Sequence, residues 1–252
     1  MTMFLNNQTT FVMAICVIGG LLLLSLSLTW LVIRFSGERL LRAYAGLMPP
    51  VGAMLMAGFV LSVALVVSSV MRDGTLAEQS VDSEAHALHL ALAALDKEKH
   101  PLWHQAIATY IDKVVNEEWQ DMRSGIRSQR AHDALLNLRL LALKGLPGIS
   151  PEERRQLLDV VNTIDSSRQG RLFASADEVP EQVWAALWIS ALVTIFFCAA
   201  VHARNPPSAY ILAALYGMVI GSMFFTIVST DHPFLGPGAV SNQPIASLAA
   251  GT

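Results

Sequence analysis

An all-α integral membrane protein is the fold class this sequence predicts, with four transmembrane helices and an all-helical extramembrane insert between the second and third. Three observations lead there. Hydrophobic residues make up 53% of the 252 residues and charged residues only 15%, against roughly 25% charged in average soluble proteins. The charge deficit is concentrated in four segments, each close to the ~20 apolar residues a helix needs to cross a bilayer core. No stretch shows the alternation of a half-buried strand.

The first segment, residues 11–33, reads FVMAICVIGGLLLLSLSLTWLVI and carries no charge. The preceding MTMFLNNQTT has no Lys or Arg, and the apolar run exceeds the ~7–15 residues of a signal-peptide core. It reads as a retained helix. The second segment, residues 51–71, is VGAMLMAGFVLSVALVVSSVM. Residues 1–71 thus form an N-terminal helix pair.

The insert spans residues 72–182 and holds 13 of the 17 Lys and Arg and 18 of the 20 Asp and Glu. It faces water, and apolar stripes place its helices. Ala85, Leu88, Leu92 and Leu95 recur at helical spacing within 76–95. Pro101 opens a helix through Trp119, with Trp103, Ile107, Ile111, Val114 and Val115 on one side. Residues 131–144 carry Leu135, Leu138, Leu141 and Leu143, and Gly145, Pro147 and Gly148 then break the chain. Ser150-Pro151-Glu152-Glu153 has the form of a capping box ahead of a helix with Leu157, Leu158, Val161 and Ile164. Some of these helices are expected to continue the membrane helices beyond the lipid.

The third and fourth segments, residues 183–201 and 208–230, form the C-terminal pair within 183–230. Gly217 and Gly221 in the fourth make a GxxxG suited to close helix packing. A tail follows, residues 231–252. It opens with Asp231, His232, Pro233, Phe234 and Gly236. Proline stops the fourth helix there, and Asp231 stands where the helix dipole disfavours an anion. It should therefore find a partner, a cation or backbone amides of the insert, with Phe234 buried beside it as a docking element. A solvated helix terminator is the plainer alternative.

Several classes are disfavoured. The net charge of −3 lacks the basic cluster of a nucleic-acid binder. Cys16 and Cys198 both lie inside membrane segments, so neither a disulfide framework nor a cysteine metal site is expected. The four segments contain no Asp, Glu, Lys or Arg, which counts against proton-coupled transport. Asp82, His86 and His89 share a helical face, and His100 and His104 are four apart. The HExxH form is missing, and Lys97 and Lys99 would repel a cation beside the second pair. We expect no metal, no cofactor and no enzyme activity, since nucleophile triads and phosphate-binding loops are also missing.

The second membrane helix has the small and polar residues Gly52, Gly58, Ser62, Ser68 and Ser69 among larger apolar ones. Phe59, Ser62, Val66 and Ser69 share one face and are the expected pore lining, although ordinary packing explains the same residues. Arg34, Arg39 and Arg42 lie in the first short loop and Arg204 in the second, while both termini lack Lys and Arg. The positive-inside rule then puts these loops in the cytoplasm and the termini and insert outside.

Asp231-His232-Pro233-Phe234-Leu235-Gly236, followed by Val240-Ser241-Asn242-Gln243-Pro244, resembles the C-terminal signature of the bestrophin-like family of unknown function, a set of mostly bacterial membrane proteins. Glu84 and Leu88 resemble its Glu-Ala-x-x-Leu element, and Glu118-Trp119 its acidic-Glu-Trp element. His232 departs from the pattern, where Arg is commoner. The resemblance implies the bacterial inner membrane and, by analogy with bestrophins proper, a pentameric anion channel lined by the second helix. Bestrophins keep the insert in the cytoplasm, whereas the arginines here point the other way, and we follow the arginines. The expected function is a homo-oligomeric, channel-like membrane protein in lipid that passes a small anion. A non-conducting scaffold or sensor, whose insert binds a partner, is the alternative, with a metal-dependent membrane enzyme behind both.

Overall fold

A computed structural model describes residues 2–35, 48–122, 126–144, 146–176, 179–234 and 239–249. Its helices are α1 (Thr2–Phe35), α2 (Met48–Ala93), α3 (Pro101–Lys113), a π turn (Val114–Glu118), α4 (Trp119–Met122), α5 (Gln129–Lys144), α6 (Pro151–Ala176), α7 (Glu181–His202), α8 (Pro206–Thr230) and α9 (Gln243–Ala249). The described residues contain no strand. Four stretches are long and apolar enough to cross a membrane.

The chain forms two compact units. One comprises residues 1–71 and 178–231, the other residues 72–177 and 232–252. Helix α2 contributes to both without a break.

In the membrane unit, α1 and α8 run antiparallel in close contact. A Cβ on Gly221 would lie 2.8 Å from the Ile18 Cα, and one on Gly217 would lie 2.8 Å from the Leu22 Cα. One turn further, the Ser25 hydroxyl donates to the Ala213 carbonyl at 2.7 Å. The two glycines therefore let the backbones touch, which matters in lipid, where packing replaces hydrophobic drive between helices. The unit's core joins Leu21, Phe59, Val63, Leu187, Ala191, Ile195, Ile220, Phe224 and Ile227. The rings of Trp184 and Trp188 pack on Phe224, with centroids 5.9 and 4.8 Å away. At the other end Val32 packs against Ala199, Ala200 and Ala203. Arg34 and Arg204 thus stand at the same end of this unit.

The insert unit has an apolar core of Leu88, Trp103, Ile107, Ile111, Leu138, Val161 and Ile164, among others. The corner between α2 and α3 is closed by the Trp103 indole donating to the Ala91 carbonyl at 2.8 Å. Pro101 stands in the first turn of α3. Gly148 takes a left-handed turn at φ +82 between α5 and α6, a conformation that suits glycine. Both capping-box bonds then form: the Glu153 N–H donates to Ser150 Oγ at 3.2 Å, and the Ser150 N–H to Glu153 Oε2 at 2.7 Å. The Ser150 N–H first, and then its hydroxyl, hold the Glu153 carboxyl below its ordinary value.

The tail is not a separate segment. Phe234 and Ile245 are buried in the insert core, with Val240 and Leu248 packed against it. Asp231 alone of that stretch groups with the membrane unit.

Candidate functional site

Two glutamates and two arginines are buried together in the insert unit. Glu84 comes from α2, Glu118 from the π turn, and Arg168 and Arg171 from α6. Each occupies a core position of its helix. On α2 the buried stripe is Ala77, Val81, Glu84, Leu88 and Ala91, and on α6 it is Leu157, Val161, Ile164, Arg168 and Arg171. The π turn adds a residue to one turn of helix. It thereby directs both Glu118 and its neighbour Trp119 inward, the kind of re-aiming for which π-bulges are known.

The network is closed. Arg171 Nε donates to Glu84 Oε2 at 2.8 Å, and its Nη2 reaches Glu84 Oε1 at 3.2 Å and Glu118 Oε1 at 2.7 Å. Its Nη1 faces the Met122 sulfur. Arg168 Nε bonds both oxygens of Glu118, at 3.1 and 3.0 Å, and Arg168 Nη2 pairs with Glu118 Oε2. The Tyr110 hydroxyl donates to Glu84 Oε1 at 2.6 Å. The Arg168 Nη2 also reaches the Ser128 carbonyl at 3.4 Å, fixing the approach to α5.

Two formal positive charges meet two negative ones, so the cluster is neutral as a whole. Burial would lower the Arg171 pKa, but Glu84 and Glu118 outweigh it and raise it above its ordinary value. Burial, then the charge of Glu84, pushes the Tyr110 hydroxyl well above its ordinary value. Every carboxylate oxygen accepts a donor, and no nucleophile stands free within the cluster. Its chemistry is that of a lock: it fixes α2, the π turn and α6 in one register. Close approach supports this, because a Cβ on Gly170 would meet Ser80 Oγ at 2.7 Å.

An aromatic stack extends the lock to the tail. The Arg171 guanidinium lies 5.2 Å from the Trp119 ring centroid. Phe234 meets Trp119 edge to face, with centroids 5.6 Å apart at 86°. The sequence elements at Glu84, at Glu118-Trp119 and at Phe234 are thus one cluster in space, with Leu88 buried in the same core. Tyr110, Arg168 and Arg171 were not among the residues singled out in the sequence. Their signal was available, since both arginines interrupt an apolar stripe at its own spacing.

The remaining expectations separate. Asp231 Oδ1 accepts the Val179 N–H at 3.0 Å. Its partner is a backbone amide just before α7, rather than a side-chain cation. That position lies at the positive end of the α7 dipole, which offsets the negative end of α8. His232 and Pro233 are half-buried, and the Val240 N–H donates to the Pro233 carbonyl at 2.8 Å. Gly236 lies outside the described residues. Of the four residues expected to line a pore, Phe59 is 2% exposed in the core of its own unit. Ser62 is exposed, its hydroxyl bonded to the Gly58 carbonyl at 2.9 Å, while Val66 and Ser69 are half-buried. The Phe59 ring is held by core packing and is not free to form a constriction on an outer surface. His104 Nε2 pairs with the Leu95 carbonyl at 2.8 Å, and no group of metal-ligating side chains occurs among the described residues.

Four membrane-length apolar helices and a helical insert define an all-α, multi-pass membrane protein. The family model described as the Bestrophin-like domain matches residues 19–245. The chain belongs to the bestrophin-like family. A crystal structure of a membrane protein is similar over 92% of this chain and 95% of its own, with a TM-score of 0.69 and 12% identity. That likeness is one of fold. No curated protein matches the sequence.

Proposed function

We propose that the protein assembles from several copies and passes a small anion along the outward face of α2. The observation that carries this reading is how little of the membrane half of α2 the described residues cover. Between residues 50 and 71, only Phe59, Val63 and Val70 are buried. The opposite stripe, Met54, Ala57, Gly58, Leu61, Leu65 and Ser68, is exposed and mixes small with apolar residues. Small residues admit close contact between helices, and a ring of apolar side chains can gate a pore by dewetting. Leu61 and Leu65 are the residues we assign to that ring.

Uncharged spans support passive permeation over proton coupling. The membership of the family supports the channel class by analogy. Arg34 and Arg204, at one end of the membrane unit, support an orientation with that end in the cytoplasm and the insert outside. A cysteine at Lys99 in the insert would then react with an impermeant thiol reagent in intact cells, whereas labelling only after lysis reverses the orientation.

A structure of the assembled protein in lipid tests the reading. A central path between copies lined by Leu61 and Leu65 supports it. An axis filled by lipid, or lined by another helix, leaves the scaffold or sensor as the better account.

A further inference from the structure

The insert carries a small exposed patch that combines an aromatic ring, an aliphatic side chain and an arginine. Phe173 on α6 is 63% exposed, and Ile126, shortly before α5, is 59% exposed. Arg127 is also exposed, and its guanidinium lies 5.6 Å from the Phe173 ring centroid. Elsewhere on the insert surface Arg130 pairs with Glu117, Arg139 with Asp165 and Arg155 with Glu152. Arg127 makes no ion pair among the described residues, its contact being with Phe173. Asp121, whose carbonyl accepts the Ile126 N–H at 2.9 Å, forms no salt bridge with it.

The height of the patch follows from α2, which runs unbroken from the second membrane segment into the insert. Ser80 stands nine residues beyond Met71, the last residue of the apolar run, or about 13 Å along the axis. A Cβ on Gly170 would meet the Ser80 hydroxyl at 2.7 Å, so α6 passes α2 at this level. From Gly170, α6 heads for the third membrane segment, which begins at Val183. Phe173 therefore lies about one turn nearer the lipid than Ser80, roughly 9 Å from the level where the apolar run ends. Headgroups add about 5–7 Å to each side of the hydrocarbon core, and arginine side chains bridge such a gap by snorkelling. Leu76, 50% exposed, falls at a similar height on α2, about 7–8 Å beyond Met71.

Aromatic rings and basic side chains are both enriched where membrane proteins meet the headgroups. Arginine also presents its donors in a planar fork that matches phosphate. We propose that Ile126, Arg127 and Phe173 rest on the membrane surface and hold an anionic phospholipid, with Arg127 donating to its phosphate and the two apolar side chains set among the headgroups. The contact continues the lipid boundary of the second membrane segment onto the insert. It does not depend on whether the membrane helices conduct.

The test uses the full chain in lipid nanodiscs containing phosphatidylglycerol, with Cys16→Ser and Cys198→Ser to remove the native thiols. A nitroxide on Ile126→Cys should show a higher ratio of oxygen to water-soluble nickel-chelate collisions than one on Leu102→Cys, an exposed residue beyond the insert end of α2. In native mass spectrometry, Arg127→Gln should retain fewer phosphatidylglycerol molecules per chain than wild type. Thermal unfolding confirms that each variant is folded. A label on Ile126→Cys as open to the nickel chelate as one on Leu102→Cys overturns the proposal, as does equal lipid retention by wild type and folded Arg127→Gln. Spin–spin broadening between Ile126→Cys labels also overturns it, because a second copy and not lipid then covers the patch.

Discussion

Arg171 and Glu118 are joined by a 2.7 Å hydrogen bond between side chains that are both shut off from solvent, 53 residues apart in sequence. Removing either leaves a charge with no partner in a low-dielectric core. Breaking a buried pair in this way costs about 3–5 kcal/mol. Arg171→Ala and Glu118→Ala should each lower stability by that order, measured by chemical unfolding in detergent. Arg171→Lys should not rescue, because an ammonium cannot present the planar fork that serves both Glu84 and Glu118. Unfolding curves that overlay the wild type would reduce the cluster to an incidental contact.

Tyr110 makes the stability depend on alkaline pH. Burial and Glu84 raise its hydroxyl well above its ordinary value, near 10 in an unfolded chain. Above about pH 10 the unfolded chain loses this proton while the native chain keeps it. The contribution is therefore complete below that pH and declines as pH rises further. Tyr110→Phe should flatten the alkaline fall in stability relative to wild type, and also weaken the fold at neutral pH by removing a donor from Glu84. Parallel pH profiles for the two proteins would contradict the assignment.

Close packing of α1 on α8 gives a prediction in the membrane unit. Gly221→Ala places a methyl 2.8 Å from the Ile18 Cα, and overpacking of this kind costs about 1–3 kcal/mol. Gly19→Ala is the control, since a Cβ there meets nothing within 4 Å. Melting in detergent should fall for the first and hold for the second.

Phe234 ties the tail to the insert core through Trp119. Phe234→Ala should cost about 3–5 kcal/mol, as for other buried aromatics cut to alanine. Limited proteolysis should then cut the chain around α9, which wild type protects. Protection equal to wild type would return this segment to a plain helix terminator.

Much of this was legible in the residues, and the failures have physical causes. The membrane spans follow from run length alone, because bilayer thickness sets the length of an uncharged helix. Glu84, Glu118, Trp119 and Phe234 stood out as motifs, but their convergence did not, since contacts across 50 or more residues leave no local trace. Arg168 and Arg171 read as surface residues by type. Only their place in the stripe of Leu157, Val161 and Ile164 marks them as core. The burial of Phe59 in its own unit was hidden for the opposite reason. Helical spacing puts it on a face with Ser62 and Val66, but a helix apolar all round does not declare which side meets its own chain and which meets lipid or another copy. The partner of Asp231 was also open, because a backbone amide 52 residues away has no sequence signature.

Chloride efflux from vesicles containing the purified chain tests the proposed function most directly. Wild-type protein should release trapped chloride, and Leu61→Ala and Leu65→Ala should each change the rate by widening the apolar ring. Vesicles that stay tight to chloride, with the protein folded and assembled from several copies, would contradict conduction along α2.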